Sequence, residues 1–157
     1  MNTANNYTIL QAGASVMHIL LCDDDLDDCL LFKDALAELQ ISTQFTCVNN
    51  GEKLTTLLRS GELFPDCIFL DMNMPGKNGL QCLLEIRAME SLKAIPIIIL
   101  STSFQPNMIA TLCGYGAMLC LKKPNGFTQL KEVIHSALSL VEQAQVINEA
   151  TIVSQTP

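Results

Sequence analysis

Short apolar segments alternate with longer amphipathic segments from His18 onward, and the alternation repeats about five times. Short apolar runs indicate buried strands, whereas apolar residues at spacings of three and four indicate helices. A regular alternation of the two is typical of a parallel sheet covered by helices on both faces. The predicted strands are 18–22, 44–48, 66–70, 96–100 and 117–121, and the predicted helices are 26–40, 51–60, 78–90, 106–114 and 127–143.

This pattern predicts one α/β domain over residues 18–143, built on a doubly wound, five-stranded parallel sheet. Residues 1–17 and 144–157 lack a strong period and are predicted to be terminal tails, although the second could instead extend the last helix. Asn50 and Asn78 precede two of the predicted helices, and asparagine is a favoured residue for capping a helix N-terminus.

Composition narrows the class of protein. The chain has 157 residues, of which 49% are hydrophobic, and a net charge of −7. No apolar run approaches the ~18 residues of a membrane span, and no Lys or Arg precedes Lys33, so we expect a cytoplasmic protein without a secretory signal. The absence of a basic stripe disfavours nucleic-acid binding. The seven cysteines form no C-x-x-C pair and are expected to be small buried residues, not zinc ligands or disulfides.

Acidic, hydroxyl and basic residues follow four of the predicted strands. In a doubly wound sheet, ligands bind at the carboxyl ends of the strands. Two or three carboxylates that meet there repel one another, so a cation is needed to offset their charge. Oxygen ligands with room left for water and phosphate favour Mg²⁺, with Mn²⁺ able to replace it. The residues are Asp23 and Asp24, then Asp71, then Ser101 and Thr102, and finally Lys122 and Lys123.

A purely structural interpretation exists for several of these residues. Acids at the start of a helix commonly cap it or complement its dipole. We assign this role to Asp27 and Asp28, and consider it for Asp25. Lys123, taken alone, would be a surface lysine before a turn. Acids after two strands and a lysine after a third, all at one edge of the sheet, favour a functional site.

Four segments carry a resemblance to a known family. HILLCDDD, IFLDMNMPGKNGL, PIIILSTS and GAMLCLKKP follow one another within residues 18–141, and together they resemble the receiver domains of two-component response regulators. The resemblance implies a flavodoxin-like, three-layer α/β/α fold with strand order 2-1-3-4-5. It also implies a stand-alone signalling protein that takes a phosphoryl group onto Asp71 from a histidine kinase or histidine phosphotransfer protein and then binds an unknown downstream protein.

The same resemblance implies roles for the residues around the phosphoacceptor. Asp24 would bind the metal ion directly together with the phosphoacceptor, Asp23 would bind it through water, and Asn73 would contribute its backbone carbonyl. Ser101 and Lys123 would each bond a phosphoryl oxygen. No other cofactor is implied. The protein would not be an enzyme, except that it would catalyse its own phosphorylation and slow autodephosphorylation.

The sequence departs from the family at two switch positions. Most receivers have Tyr or Phe three residues before the lysine, and here that residue is Cys120, so we expect the switch to act through Ser101 and the loop 101–106. Thr102 stands where many receivers have Ala or Gly, and slow dephosphorylation is expected if it narrows the path of water. The peptide bond before Pro124 is expected to be cis, as it often is in receivers.

Other functions remain open at this point. A phosphatase of the haloacid dehalogenase kind also uses an aspartate nucleophile and magnesium, but it needs a second aspartate where this chain has Asn73. A phosphate sink without downstream output, or an interaction module that is never phosphorylated, would have the same fold. Homodimerisation through the fourth helix, fifth strand and fifth helix is compatible with the resemblance, and the sequence does not decide it.

Overall fold

The structure is a computed structural model and describes residues 16–154 of the chain. Five strands alternate with five α-helices in this part, and a turn of 3₁₀ helix at Glu90–Leu92 precedes the fourth strand. The strands are β1 (Met17–Cys22), β2 (Thr43–Val48), β3 (Cys67–Asp71), β4 (Ile97–Ser101) and β5 (Leu119–Lys122). The helices are α1 (Leu26–Glu38), α2 (Gly51–Ser60), α3 (Gly79–Ala88), α4 (Met108–Gly114) and α5 (Phe127–Ser154).

All strand pairings in the sheet are parallel, and the order is β2-β1-β3-β4-β5. The predicted fold class and the strand order implied by the resemblance are therefore confirmed. The direction of the strand order reverses at β1, so the carboxyl ends of β1 and β3 lie side by side, with Cys22 opposite Leu70. This is the position at which doubly wound sheets bind their ligands.

The sheet divides the core into two layers because side chains alternate across a strand. In β1, Ile19 and Leu21 pack among side chains of α1 and α5, whereas Leu20 and Cys22 pack among those of α2 and α3. The strands β3 and β4 are buried along their whole length. Burial on both faces explains why these strands are continuously apolar in the sequence.

The strands β3, β4 and β5 each end one residue later than predicted. Asp71 pairs with Leu100 as the last residue of β3, and Ser101 pairs with Lys122 as the last residue of β4. Both polar side chains are consequently held by the sheet ladder instead of by a loop. In contrast, β5 begins two residues later than predicted, at Leu119.

The helix caps follow the sequence closely. Asn50 Oδ1 accepts a hydrogen bond from the Lys53 N–H at 2.8 Å, and Asn78 forms a reciprocal capping box with Gln81. Both predicted caps are confirmed. At α1 the capping residue is Asp25, whose carboxylate accepts from the N–H groups of Asp27 and Asp28. Asp27 and Asp28 therefore lie in the first turn of α1 and do not cap the helix.

One cysteine prediction is wrong. A disulfide joins Cys29 in α1 to Cys47 in β2, whereas all seven cysteines were expected to be unpaired. The two Cα atoms are 6.6 Å apart because α1 packs across the sheet beside β2, which a separation of 18 residues in sequence does not reveal. Of the five free cysteines, Cys113 is exposed, contrary to the expectation of burial.

The last helix continues to Ser154, so residues 144–154 extend α5, which was the alternative to the tail predicted there. Of the tail predicted at residues 1–17, residues 1–15 lie outside the described part of the chain. Every peptide bond within residues 16–154 is trans, so the cis bond expected before Pro124 is absent. In the same part of the chain, we find no helix whose length and apolar content match those of a membrane span.

Candidate functional site

Three aspartates meet at the carboxyl edge of the sheet. Asp23 and Asp24 directly follow β1, and Asp71 ends the neighbouring strand β3. One carboxylate oxygen from each residue lies within 4.8 Å of the others. Asp23 and Asp71 are buried, at 1% and 4% exposure, whereas Asp24 is exposed to solvent. The predicted acidic cluster is thus assembled in space, with one side open.

This donor set fits a hard divalent cation. All three side chains offer oxygen ligands, which Mg²⁺ and Mn²⁺ prefer over nitrogen or sulfur ligands. Burial raises the pKa of Asp23 and of Asp71 above the ordinary value for aspartate, because desolvation penalises the charged carboxylate. Hydrogen bonds and the charge of Lys123 partly oppose this effect. A divalent cation would remove much of the penalty.

Lys123 extends from the end of β5 into the acidic cluster. Its backbone N–H donates to the carbonyl of Ser101 at 2.8 Å, which fixes the residue beside β4. Its Nζ lies 2.7 Å from Asp23, 2.9 Å from Asp28 and 3.2 Å from Asp71. Burial alone would lower the pKa of Lys123, but hydrogen bonds to Asp23 and Asp28 raise it well above its ordinary value. The lysine is therefore a permanent cation at neutral pH.

Ser101 and Asn73 form a second polar pair beside Asp71. The Ser101 hydroxyl is fully buried, donates to the carbonyl of Ser103 at 2.6 Å and accepts from the side-chain amide of Asn73 at 3.2 Å. The backbone of Asn73 also lowers the pKa of Asp71 and so partly opposes the effect of burial. The structure thus brings both predicted residues to the site, while the role of the Asn73 carbonyl as a metal ligand stays a prediction.

The two remaining switch positions differ in exposure. Thr102 is exposed at the rim of the site, directly after β4. Cys120 lies in β5 and packs partly buried against the core layer on the α3 side. Burial and the neighbouring Cys113 raise the pKa of the Cys120 thiol to about 11, so it is uncharged at neutral pH. No ring occupies this position, as the sequence already established.

Asp28 is a residue of the site that the sequence analysis missed. It was assigned only to the dipole of α1, but its carboxylate is bound to the Lys123 ammonium. Sequence spacing gives no signal for this role, because Asp28 lies 95 positions from Lys123 and only the packing of α1 brings the two residues together. A second missed residue is Lys77, whose Nζ bonds Thr55 and so ties the loop after β3 to α2.

Comparisons with known proteins agree with this fold. A family model for the response regulator receiver domain matches residues 19–135. The transcriptional regulatory protein MalR of Bacillus subtilis is 38% identical over 74 residues, which cover 47% of this chain and 31% of MalR. Response regulator Rcp1 of Synechocystis sp. is 33% identical over 90 residues, which cover 54% of this chain and 61% of Rcp1. The chain spans less than two thirds of the length of either relative.

Solved structures show the same architecture. The crystal structure of the phosphorylated cyanobacterial phytochrome response regulator RcpA has a TM-score of 0.71 and 29% identity, covering 76% of this chain and 89% of RcpA. The crystal structure of the Mn²⁺-bound form of Rcp1 has a TM-score of 0.70 and 25% identity, covering 76% of this chain and 90% of that one. With the family model matched over most of the chain and the strand order shared, this chain belongs to the response regulator receiver domain family.

Proposed function

We propose that this receiver domain accepts a phosphoryl group on Asp71 from a histidine kinase or a histidine phosphotransfer protein. The observation that carries the proposal is the position of the Asp71 carboxylate, 3.2 Å from the Lys123 ammonium and beside two further aspartates. A carboxylate is a weak nucleophile, and its reaction with an anionic phosphoryl group depends on positioning and on nearby positive charge. The similar protein RcpA was crystallised in a phosphorylated form, which supports the proposal.

The chemistry is a transfer between two nucleophiles. A carboxylate oxygen of Asp71 forms a bond to phosphorus while the phosphorus–nitrogen bond of the donor histidine breaks, and the imidazole nitrogen keeps the electron pair and takes up a proton. Lys123 donates to a phosphoryl oxygen and neutralises part of its charge. Ser101 donates to another phosphoryl oxygen after its hydroxyl leaves the carbonyl of Ser103. Receiver domains are signalling proteins, so the product is the modified protein itself.

The proposed cofactor is Mg²⁺, with Mn²⁺ as a substitute. Asp24 and Asp71 would hold it directly, Asp23 through water, and Asn73 through its backbone carbonyl. When bound, the ion supplies positive charge that offsets the phosphoryl oxygens. The all-oxygen cluster and the Mn²⁺-bound form of Rcp1 support a divalent ion at this place.

Thermal unfolding tests the metal without any phosphoryl donor. Mg²⁺ at 100 times its dissociation constant is expected to stabilise the fold by about 2.7 kcal/mol, which corresponds to roughly 5–10 °C for a domain of this size. Asp24→Asn removes the negative charge of one ligand, and the Mg²⁺-induced shift is expected to shrink. Equal shifts in the wild type and in Asp24→Asn would contradict the proposed ligand set.

The proposed output is a rearrangement of the loop 101–106. Ser101 leaves Ser103 to reach the phosphoryl group, and Thr102 moves with it, while Cys120 cannot report the change by burying a ring. The NMR spectrum of residues 104–121 is expected to differ between the two states, and identical spectra would contradict this switch. A downstream protein would bind the altered surface. A receiver that binds no downstream protein would instead act as a phosphate sink. Co-precipitation of a protein with the wild type, but not with Asp71→Asn, would favour the first function over the second.

A phosphatase of the haloacid dehalogenase kind is not favoured, because the family is that of receivers and Asn73 replaces the acid that such an enzyme needs.

A cytoplasmic location and a homodimer through α4, β5 and α5 are part of the proposal. Cell fractionation tests the location. Sedimentation of the phosphorylated and unphosphorylated protein tests the dimer.

Intact-mass analysis after incubation with acetyl phosphate and Mg²⁺ tests the phosphoacceptor. The wild type is expected to gain the mass of one phosphoryl group, and chelation of the metal should prevent the gain. Asp71→Asn should gain nothing, whereas the control Asp34→Asn, which alters an exposed aspartate on α1, should behave like the wild type. An unmodified wild type, or a modified Asp71→Asn variant, would contradict the proposal.

A further inference from the structure

We propose that Asp28 is a positioning residue that retains the Lys123 ammonium on the α1 side of the pocket and thereby opposes phosphorylation of Asp71. The inference rests on the proposed function, because it concerns the lysine that would bond the phosphoryl group. Asp28 would be a further charged residue of the site, and it would control how readily the Lys123 ammonium bonds a phosphoryl oxygen.

Lys123 donates hydrogen bonds to Asp23 and Asp28, and its ammonium also lies close to Asp71. An ammonium group has three N–H donors, and three carboxylates surround the Nζ of Lys123. The distance is 2.7 Å to Asp23, 2.9 Å to Asp28 and 3.2 Å to Asp71. A phosphoryl oxygen on Asp71 would therefore compete with Asp23 and Asp28 for the ammonium. When the ammonium turns toward the phosphoryl group, one of the two shorter contacts lengthens.

The exposure of the two carboxylates decides which contact lengthens. The side chain of Asp23 is 2% exposed and also accepts from the N–H of Asp25, so losing Lys123 would leave a buried charge poorly compensated. The side chain of Asp28 is 41% exposed, and water can replace the ammonium there. The contact with Asp28 is thus the one that phosphorylation breaks.

The surroundings of Asp28 allow water to replace the ammonium. Asp23, Asp28 and Lys123 line a cavity of about 90 Å³ between α1 and the start of α5. Water can therefore reach the Asp28 carboxylate when the ammonium withdraws. Because Asp28 binds Lys123 in the unmodified protein only, it stabilises that state alone, and removing its charge should favour the phosphorylated state.

Asp28→Asn isolates this effect, because it preserves the shape of the side chain and removes its charge. Half-exposed ion pairs contribute little, and the expected gain in affinity for a phosphoryl analogue is about two- to fivefold. Asp27→Asn is the matched control. It removes the same charge from the same helical turn, but the described contacts of Lys123 do not include Asp27. Long-range effects of charge, which salt screens, are shared by both variants.

The experiment is a titration of the full chain with beryllofluoride, a phosphoryl analogue, in saturating Mg²⁺ and 0.15 M salt, roughly the physiological ionic strength. The dissociation constant is measured by NMR, together with the ammonium resonance of Lys123. Asp28→Asn is expected to bind the analogue about two- to fivefold more tightly than the wild type, with the Lys123 resonance shifted before the analogue is added. Asp27→Asn should leave the Lys123 resonance unchanged. It should alter the affinity for beryllofluoride only through the long-range effect of charge, which salt screens.

Three results would overturn the inference. The first is equal affinity of Asp28→Asn and Asp27→Asn, with the wild-type protein still binding the analogue; the proposed function would then stand. The second is a wild type that neither binds beryllofluoride nor gains phosphate from acetyl phosphate, which contradicts the proposed function as well. Asp28→Glu, which retains the charge, should behave like the wild type. A gain in that variant equal to the gain in Asp28→Asn would also overturn the inference.

Discussion

Gly79 is the residue whose replacement is expected to disturb the phosphoacceptor most directly. It begins α3, and its N–H donates to the carbonyl of Met72 at 3.1 Å. A Cβ atom at this position would lie 2.5 Å from the carbonyl oxygen of Asp71 and 2.8 Å from Cα of Met72. Ordinary contacts between such atoms are about 3.5 Å. The overlap is thus roughly 1 Å against two backbone atoms.

The backbone at this point cannot easily move away. Asp71 pairs with Leu100 in the sheet, and the N–H of Met72 donates to the Leu100 carbonyl at 2.8 Å. Gly79→Ala must therefore displace either the start of α3 or the end of β3. Overpacking of this kind costs about 1–3 kcal/mol, and a loss of 2 kcal/mol lowers the melting temperature of a domain of this size by roughly 4–8 °C.

Urea unfolding of Gly79→Ala and Gly114→Ala measures the effect. At Gly114, near the end of α4, a Cβ atom would meet nothing within 4 Å, so alanine there should be neutral or stabilising by up to about 1 kcal/mol. Gly79→Ala should also take up phosphate more slowly, because the strand end that carries Asp71 shifts. A Gly79→Ala variant with wild-type stability would refute the reasoning from backbone overlap.

Three other predictions concern different parts of the chain. Lys77→Met should lower the urea midpoint more than Lys93→Met, because Lys77 binds Thr55 and two glutamates across α2 and α3, whereas Lys93 pairs with one exposed neighbour; equal effects would contradict this. Alkylation of the unfolded protein should modify five cysteines without reductant and seven with it, and seven in both cases would exclude the Cys29–Cys47 disulfide. Thr102→Ala should shorten the phosphoryl half-life, measured by intact mass, and an unchanged half-life would show that Thr102 does not restrict water.

The order of elements and the location of the site could be predicted from the sequence because both depend on local patterns. Burial of β3 and β4 on both faces makes them continuously apolar, and amphipathic helices follow a period of about 3.6 residues. Parallel strands then place Asp71 and Lys123 at the same edge of the sheet. The caps at Asn50 and Asn78 were equally local, because a cap involves residues only three positions apart.

Contacts between distant segments were decided by the tertiary structure alone. Lys123 reaches Asp28 across 95 positions in the sequence, and only the packing of α1 beside the end of β5 brings them together. The disulfide between Cys29 and Cys47 likewise depends on how α1 crosses the sheet. A local pattern records whether a side chain is buried, but not which side chain it meets, because the partner is set by the order and packing of elements far apart in the chain.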